Sequence, residues 1–139
     1  MQKKGSGEDM NIKKLKGLLK FDSKGLIPVV IQDKRTKKVL TLCYMNQEAF
    51  KRTMSEQKVW VFRRSKGALM MKGATSGCVQ KVREVLIDCE GNSLLIIVNQ
   101  VKAACHTGRF TCYFRSIDKE GRVKVLGRRL FDPKFVYVK

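Results

Sequence analysis

Residues 88 to 112 hold three of the five cysteines and the only histidine of the chain, with oxygen-bearing side chains beside the first cysteine. Cys89, Cys105 and Cys112 follow the spacing Cys-x15-Cys-x6-Cys, and His106 directly follows the second of them. Thiolate and imidazole favour zinc, whereas Asp88, Glu90 and Asn92 offer the carboxylate and carbonyl oxygen that magnesium prefers. There is no Cys-x2-Cys pair, which excludes a zinc ribbon or finger. Three thiolates leave one tetrahedral position open, the mark of a catalytic zinc rather than a closed structural one. They also blunt the metal as a Lewis acid, so a base or a second cation has to help activate water, and His106 is the natural proton carrier. If Asp88 to Asn92 runs extended, alternation puts Asp88 and Glu90 on one face and Cys89 on the other, which separates an oxygen site from a sulfur site. The chemistry indicated is metal-dependent hydrolysis. The plain alternative is that the cysteines are small buried apolar residues, and Cys43, inside the apolar run from Val39 to Tyr44, is read that way.

A phosphorylated substrate would need hydroxyls, backbone amides and cations in a small-residue loop. Arg63-Arg64-Ser65-Lys66 and Lys72-Gly73-Ala74-Thr75-Ser76-Gly77 supply these. Neither has the glycine spacing of a P-loop, and each alone reads as a polar turn.

The elements that must position these groups are mostly strands. Residues 1 to 9 read as a flexible tail. Ile12, Leu15, Leu18 and Leu19 recur at helical spacing, which predicts an amphipathic helix from Met10 to Lys20. Leu26 to Gln32 and Val39 to Tyr44 form the arms of a hairpin, with Pro28 near a strand start or on an edge. Asn46 caps a helix to about Gln57 whose inner side carries Ala49, Phe50, Thr53 and Met54, with Met45 and Phe50 as a hydrophobic staple. Further strands are expected at Val59 to Phe62, Ala68 to Lys72, Cys78 to Asp88, Ser93 to Val101, Tyr113 to Ile117 and Arg122 to Leu126. A last strand or ordered arm is expected from Phe131 to Val138. So many short strands with two helices predict a mainly β, α+β domain over residues 10 to 139, barrel-like or strongly twisted.

Composition narrows the setting. At 139 residues the length fits one domain, and 43% hydrophobic against 30% charged residues is globular rather than disordered. The longest apolar run, Leu94 to Val98, falls far short of the roughly 20 residues of a membrane helix. An odd cysteine count without an apolar export signal argues for reduced thiols and a cytoplasmic protein. The formal charge of +18 points to a polyanionic partner, either a phosphorylated small molecule or nucleic acid, or else to a lysine-rich solvated surface.

The chain also resembles the phosphoribosyl-AMP cyclohydrolases of histidine biosynthesis. The matching stretches run in order: Phe21-Asp22, Gly25 to Val30, Gln32-Asp33, Val39-Leu40, Tyr44-Met45-Asn46 and Glu48-Ala49. They continue through Arg64-Ser65-Lys66, Lys72-Gly73, Thr75-Ser76-Gly77, Val79 to Val82 and Asp88-Cys89, and end with Ala104 to Arg109 and Cys112-Tyr113. The resemblance implies hydrolysis of the N1–C6 bond of the adenine ring of phosphoribosyl-AMP, in a β-rich pseudo-barrel capped by helix. It implies a homodimer with zinc held by Cys89, Cys105 and Cys112 drawn from both chains, proton handling by His106, and magnesium near Asp88, Glu90 and Asn92. The two phosphates of the substrate would meet residues among Arg64, Ser65, Lys72, Thr75, Ser76 and Arg109. The family's magnesium motif is Asp-Cys-Asp-Gly-Asp. Here it is Asp88-Cys89-Glu90-Gly91-Asn92, with negative charge reduced from three to two, so magnesium should bind more weakly. Met70 replaces the aromatic residue usual before the Lys-Gly pair, and Cys78 stands where histidine often follows Thr-Ser-Gly. Two other outcomes fit these departures: a low-activity or inactive homologue, and a zinc-stabilised basic protein that binds nucleic acid.

Overall fold

The computed structural model describes Leu15 and residues 17–136. The expected tail, and most of the expected helix from Met10 to Lys20, lie outside these residues. Within them, the Leu15 carbonyl accepts from the amides of Leu18 and Leu19 at 2.9 Å each, and Leu19 is buried.

Alternation organises the centre of the fold. Strand β1 (Ile27–Asp33) buries every second residue, placing Ile27, Val29 and Ile31 in the core. It pairs antiparallel with β2 (Val39–Met45) and parallel with a later strand, β6 (Leu94–Gln100). With β5 (Gln80–Ile87) these make a four-stranded sheet in the order β2-β1-β6-β5. Pro28 therefore sits in a central strand. Its neighbour there is Tyr44 of β2 alone, because the parallel pairing with β6 starts at Val29, so the missing N–H breaks no ladder on that side.

Helix α1 (Gln47–Glu56) starts as its residues require: Asn46 Oδ1 accepts from the Ala49 amide at 2.8 Å. Met45 and Phe50, the expected staple, both join the core. Ala49, Phe50 and Thr53 are buried, and Met54 packs against the core from a half-buried position. Gln57 ends the helix in the left-handed region, with φ of 58°. The buried Thr53 hydroxyl donates to the Ala49 carbonyl at 2.8 Å and accepts from the Trp60 amide at 2.9 Å, which ties the helix to β3 (Trp60–Arg63). β3 and β4 (Ala68–Met71) form a separate two-stranded hairpin. It is anchored to the β5 edge, since Val59 donates to the Gln80 carbonyl at 3.1 Å and Val82 to that of Gln57 at 2.9 Å. β3 also packs against β2.

β7 (Arg115–Ile117) and β8 (Val123–Val125) form a third, isolated hairpin. The architecture is thus mainly β, with open sheets and one α-helix among the described residues. Of the last strand or ordered arm expected from Phe131, the described residues form no strand and instead hold a 3-10 turn at Pro133–Phe135. Pro133 fixes φ for such a turn, and Asp132 caps it by accepting from the Lys134 amide at 3.0 Å. Among the described residues no helix is long and apolar enough to cross a membrane.

The β1–β2 turn rests on one carboxylate. Asp33, only 3% exposed, accepts from the Thr36 amide and hydroxyl at 2.8 Å each and from the Gln100 amide at 3.2 Å. Burial raises its pKa, but these donors together with the nearby Arg35 outweigh burial and hold it below the ordinary value. The ionised form is therefore favoured by folding. That contribution is present above the unfolded pKa of about 3.9 and is lost as pH falls through the lower folded value. Asp33→Ala should lower stability at pH 7 by about 2 kcal/mol, for three hydrogen bonds to a charged group, two of them on one oxygen. The gap from wild type, read from urea unfolding, should narrow at pH 3.

Candidate metal centre and active site

The loop from Ala104 to Cys112 is folded back on itself by its own backbone. Ala104 donates to the Phe110 carbonyl at 3.0 Å, Cys105 to that of Arg109 at 3.1 Å, and Gly108 to that of Cys105 at 2.9 Å. Gly108 has φ of 93°, and a Cβ there would run into the Phe131 carbonyl oxygen, so only glycine lets the later chain lie this close. The loop is then pinned to β2: Cys112 donates to the Leu40 carbonyl at 2.8 Å, and the Thr111 hydroxyl to that of Val39 at 2.7 Å. The result brings the thiols of Cys105, which is buried, and Cys112, which is half-buried, into hydrogen-bonding contact.

Polar groups surround this sulfur pair. The Thr107 hydroxyl donates to Cys105 Sγ at 3.0 Å. Burial, followed by the neighbouring Cys105, raises the pKa of Cys112, while the Thr41 hydroxyl and the Lys72 ammonium pull the other way. Thr41 and Cys43 pair with Ile31 and Val29 and so share their core-facing side of β2. Cys43 lies near Cys112 and Lys72, and its burial pushes the thiol up to about 12, in keeping with an inert packing residue. The sequence pattern singled out neither Thr41 nor Thr107 as a sulfur partner. The period of two along β2, with Cys112 following Thr111, was the only available signal for Thr41.

Cys89 lies elsewhere. It is exposed, in a turn that begins where β5 ends at Ile87. Asp88 to Asn92 is not extended. The Gly91 amide donates to the Asp88 carbonyl at 3.1 Å, and Gly91 takes φ of 75°. The two-faced separation of oxygen and sulfur donors therefore does not arise from strand alternation. The Asp88 side chain organises the turn, accepting from Glu90 N at 3.2 Å, Asn92 N at 3.0 Å and Ser93 Oγ at 2.6 Å. These bonds, led by Ser93, outweigh partial desolvation and hold its pKa below the ordinary value. Asn92 Nδ2 donates to Glu90 Oε1 at 3.4 Å, so Asp88, Glu90 and Asn92 do occupy one small exposed turn. The Gly91 carbonyl accepts from Lys20 at 2.8 Å, which braces the turn from the other side.

The candidate phosphate ligands divide into groups. Lys72, half-buried, lies by the cysteine pair. Arg109 is in the same loop as that pair, its guanidinium 4.6 Å from the Phe114 ring centre. Arg64 stacks 3.8 Å from the ring centre of Tyr44, which projects from the opposite face of β2 to Cys43. Ser65 is exposed in the β3–β4 turn. Thr75 is exposed and Ser76 half-buried, its Oγ accepting from the Cys78 amide at 3.2 Å. Gly73, which opens that loop, has φ of 86°, and a Cβ there would strike the Cys78 and Val79 backbone. His106 is exposed at the tip of the cysteine loop.

Comparison with known proteins bears on what this arrangement serves. The family model for phosphoribosyl-AMP cyclohydrolase matches residues 41–114, from β2 through the whole cysteine loop. The phosphoribosyl-AMP cyclohydrolase of Pelotomaculum thermopropionicum is 44% identical over 121 residues, covering 87% of this chain and 94% of that protein. The chain belongs to the phosphoribosyl-AMP cyclohydrolase family. The cyclohydrolase of Methanospirillum hungatei is 46% identical over 121 residues, covering 87% of this chain and 89% of that one. A histidine biosynthesis bifunctional protein, HisIE of Caldanaerobacter subterraneus, is 49% identical over 102 residues but is covered over only 50% of its own length.

For this member of the phosphoribosyl-AMP cyclohydrolase family, the sulfur pair fits a thiophilic divalent cation. Cys105 and Cys112 are adjacent, threonine hydroxyls reach both sulfurs, and Lys72 offsets negative charge. It is a partial set, since among the described residues no three of His, Cys, Asp and Glu are grouped so as to hold a metal ion. The oxygen turn fits a hard cation less fully, because both Asp88 carboxylate oxygens already accept hydrogen bonds within the turn.

Proposed function

We propose that the protein hydrolyses the N1–C6 bond of the adenine ring of phosphoribosyl-AMP as a step of histidine biosynthesis. The relatives named for that activity support the substrate, and the meeting of Cys105 with Cys112 in a hydroxyl-lined, partly buried site carries the chemical reading. In this proposal zinc is held by Cys105, Cys112 and Cys89 of the partner subunit in a homodimer. Bound there, zinc would supply the Lewis acidity that polarises water for attack. His106 takes the proton of the attacking water and delivers it to N1 as the O–C6 bond forms and N1–C6 breaks. Thr41 and Thr107 orient the sulfurs. Lys72 and Arg109 meet one phosphate arm, while Arg64, stacked on Tyr44 with Ser65 in the adjoining turn, meets the other; Thr75 and Ser76 offer hydroxyls beside Lys72. Magnesium binds weakly at Asp88, Glu90 and Asn92. A single domain over residues 10 to 139, a barrel-like closure of β3–β4 between β5 and β2, and a cytoplasmic setting complete the proposal.

The test is to incubate zinc-loaded protein with phosphoribosyl-AMP and follow ring opening by ultraviolet absorbance, with and without magnesium. No turnover from folded, dimeric, zinc-containing protein overturns the enzyme reading. A specific observation keeps the nucleic-acid reading in the same test: among the described residues only Arg52 and Arg122 are in ion pairs, so much of the basic surface is uncompensated. Binding to RNA that falls steeply with salt and ignores His106→Ala would favour that reading. For the second metal, Asn92→Asp should tighten magnesium about thirtyfold, since one added charge in water is worth about 1 kcal/mol per unit of ion charge, or about 2 kcal/mol for a divalent ion. Calorimetric titration measures it, and unchanged affinity removes Asn92 from the metal shell.

A further inference from the structure

Residues 126–131 follow β8 and lie beyond residues 41–114, which match the family model, yet they close back on the cysteine loop. The Leu130 amide donates to the Gly108 carbonyl at 2.6 Å. The missing Cβ of Gly108 leaves room for the Phe131 carbonyl, and the Phe131 ring lies 3.5 Å from where that Cβ would stand. The centre of the same ring is 5.6 Å from Lys102 Nζ, just before the loop. The Leu126 amide donates to the Phe114 carbonyl at 2.7 Å, and the Leu126 carbonyl accepts from Arg109 Nη1 at 3.5 Å. The segment is a strap across the loop, in contact with its tip and with residues on either side of it.

The loop therefore has two anchors that serve different ends of it. Cys112 and Thr111 are pinned to the carbonyls of Leu40 and Val39 in β2, which fixes the sulfur end. The tip is held by the strap at Gly108. His106 stands two residues before Gly108, exposed, and its imidazole makes no hydrogen bond to the described residues. The loop backbone alone thus sets where the imidazole stands, although a proton carrier has to come within about 2.6–3.2 Å of the atoms it serves. We propose that residues 126–131 form a positioning strap for His106, acting through the Leu130–Gly108 hydrogen bond and the fit of Phe131 against Gly108. The proposal rests on the reading of His106 as the proton carrier. It assigns the strap to the histidine and not to the metal, because the sulfur pair keeps its β2 anchor and its threonine hydroxyls without it.

The test combines nitrogen-15 relaxation with steady-state kinetics on the zinc-loaded full chain. In wild type the His106 amide should be as rigid as a strand, with an order parameter of about 0.85. Leu130→Pro removes the one N–H that Gly108 accepts from, and the His106 order parameter should then fall below about 0.6. Zinc content and the order parameter of Cys112 should stay unchanged. Turnover should drop about a hundredfold in kcat, the cost of a misplacement of roughly 1 Å. KM should change by no more than about threefold, because Arg109 keeps its Phe114 stack at 4.6 Å and a change confined to proton transfer leaves ground-state binding alone. Phe131→Ala keeps the backbone donor and should move the order parameter and kcat the same way by a smaller amount, so the proposal stays testable should Leu130→Pro not fold. Arg129→Ala, an exposed strap residue, should change neither. A His106 amide that stays rigid in both strap variants overturns the proposal, as does an unchanged kcat in a loosened one. Loss of zinc on loosening also overturns it, since the strap would then serve the metal set. A strap that controls His106 mobility in a protein without turnover supports the positioning and counts only against the proposed reaction.

Discussion

Cys112→Ser should lose bound zinc and at least about a thousandfold in turnover, a loss corresponding to about 4 kcal/mol of transition-state stabilisation. Two features of the site make the loss this large. Cys112 is held rigidly, its amide donating to Leu40 at 2.8 Å and its neighbour Thr111 donating to Val39, so no other side chain can move into its place. Its sulfur is also the one that Cys105, Thr41, Cys43 and Lys72 all surround. A serine hydroxyl there is a poor ligand for a soft site at neutral pH, and it leaves Cys105 with one partner fewer. Cys43→Ser, beside the same pair, should by contrast keep zinc and most activity, because Cys43 packs against the hydrophobic core. Metal content by mass spectrometry and ring opening by absorbance check both. A Cys112→Ser protein with full zinc and full turnover would remove the sulfur pair from the mechanism.

The strands were legible because their residues alternate cleanly. Ile27 to Asp33 buries every second side chain, and Asn46 with Phe50 four residues on marks a helix start by the chemistry of its cap. What failed had local physical causes. Of the strand or ordered arm expected from Phe131, the strand does not form over the described residues, where Pro133 and the Asp132 cap set a 3-10 turn at Pro133–Phe135. A turn between the strands expected to end at Asp88 and to begin at Ser93 is present, but Gly91, in a left-handed conformation, and the three hydrogen bonds onto the Asp88 side chain draw Asp88 into it, so the condition for separating oxygen and sulfur donors by strand alternation is not met. The pairing of β1 with β6 in parallel joins residues more than sixty positions apart, and no spacing in the sequence announces it.

The site was legible in its residue types more than in its layout. Cysteine spacing pointed to a sulfur site with an open position, but it carried no information on which sulfurs meet. Lys72 was read as a phosphate ligand from its small-residue loop, and the fold sets it beside Cys112 and Cys43, where it also compensates thiolate charge. Arg64 belonged to the same expected set and lies instead on Tyr44, on the other side of β2. The division follows from the pleat: neighbouring positions 43 and 44 face opposite ways, and anything that packs on them is separated with them.

The most discriminating experiment uses two inactive proteins. Cys89→Ser and Cys112→Ser should each lack activity alone. Mixed in equal amounts under conditions of subunit exchange, they should recover about a quarter of wild-type turnover. Half of the randomly formed dimers carry one chain of each kind, and in such a dimer one of the two sites combines an intact Cys89 with an intact Cys105–Cys112 pair, the other site carrying both defects. Physical separation within the chain motivates the expectation: Cys105 and Cys112 touch, whereas Cys89 is exposed on a turn apart from them, and among the described residues no third His, Cys, Asp or Glu is placed with the pair to hold a metal ion. Cys105→Ser mixed with Cys112→Ser provides the control. Each chain then breaks its own Cys105–Cys112 pair, every dimer lacks a complete site, and no activity should return. Recovery near a quarter in the first mixture and none in the second requires the set to be split between subunits as 89 against 105 and 112. No recovery in the first, from proteins shown to exchange subunits, would place all three sulfurs of each site within one chain and overturn the shared site.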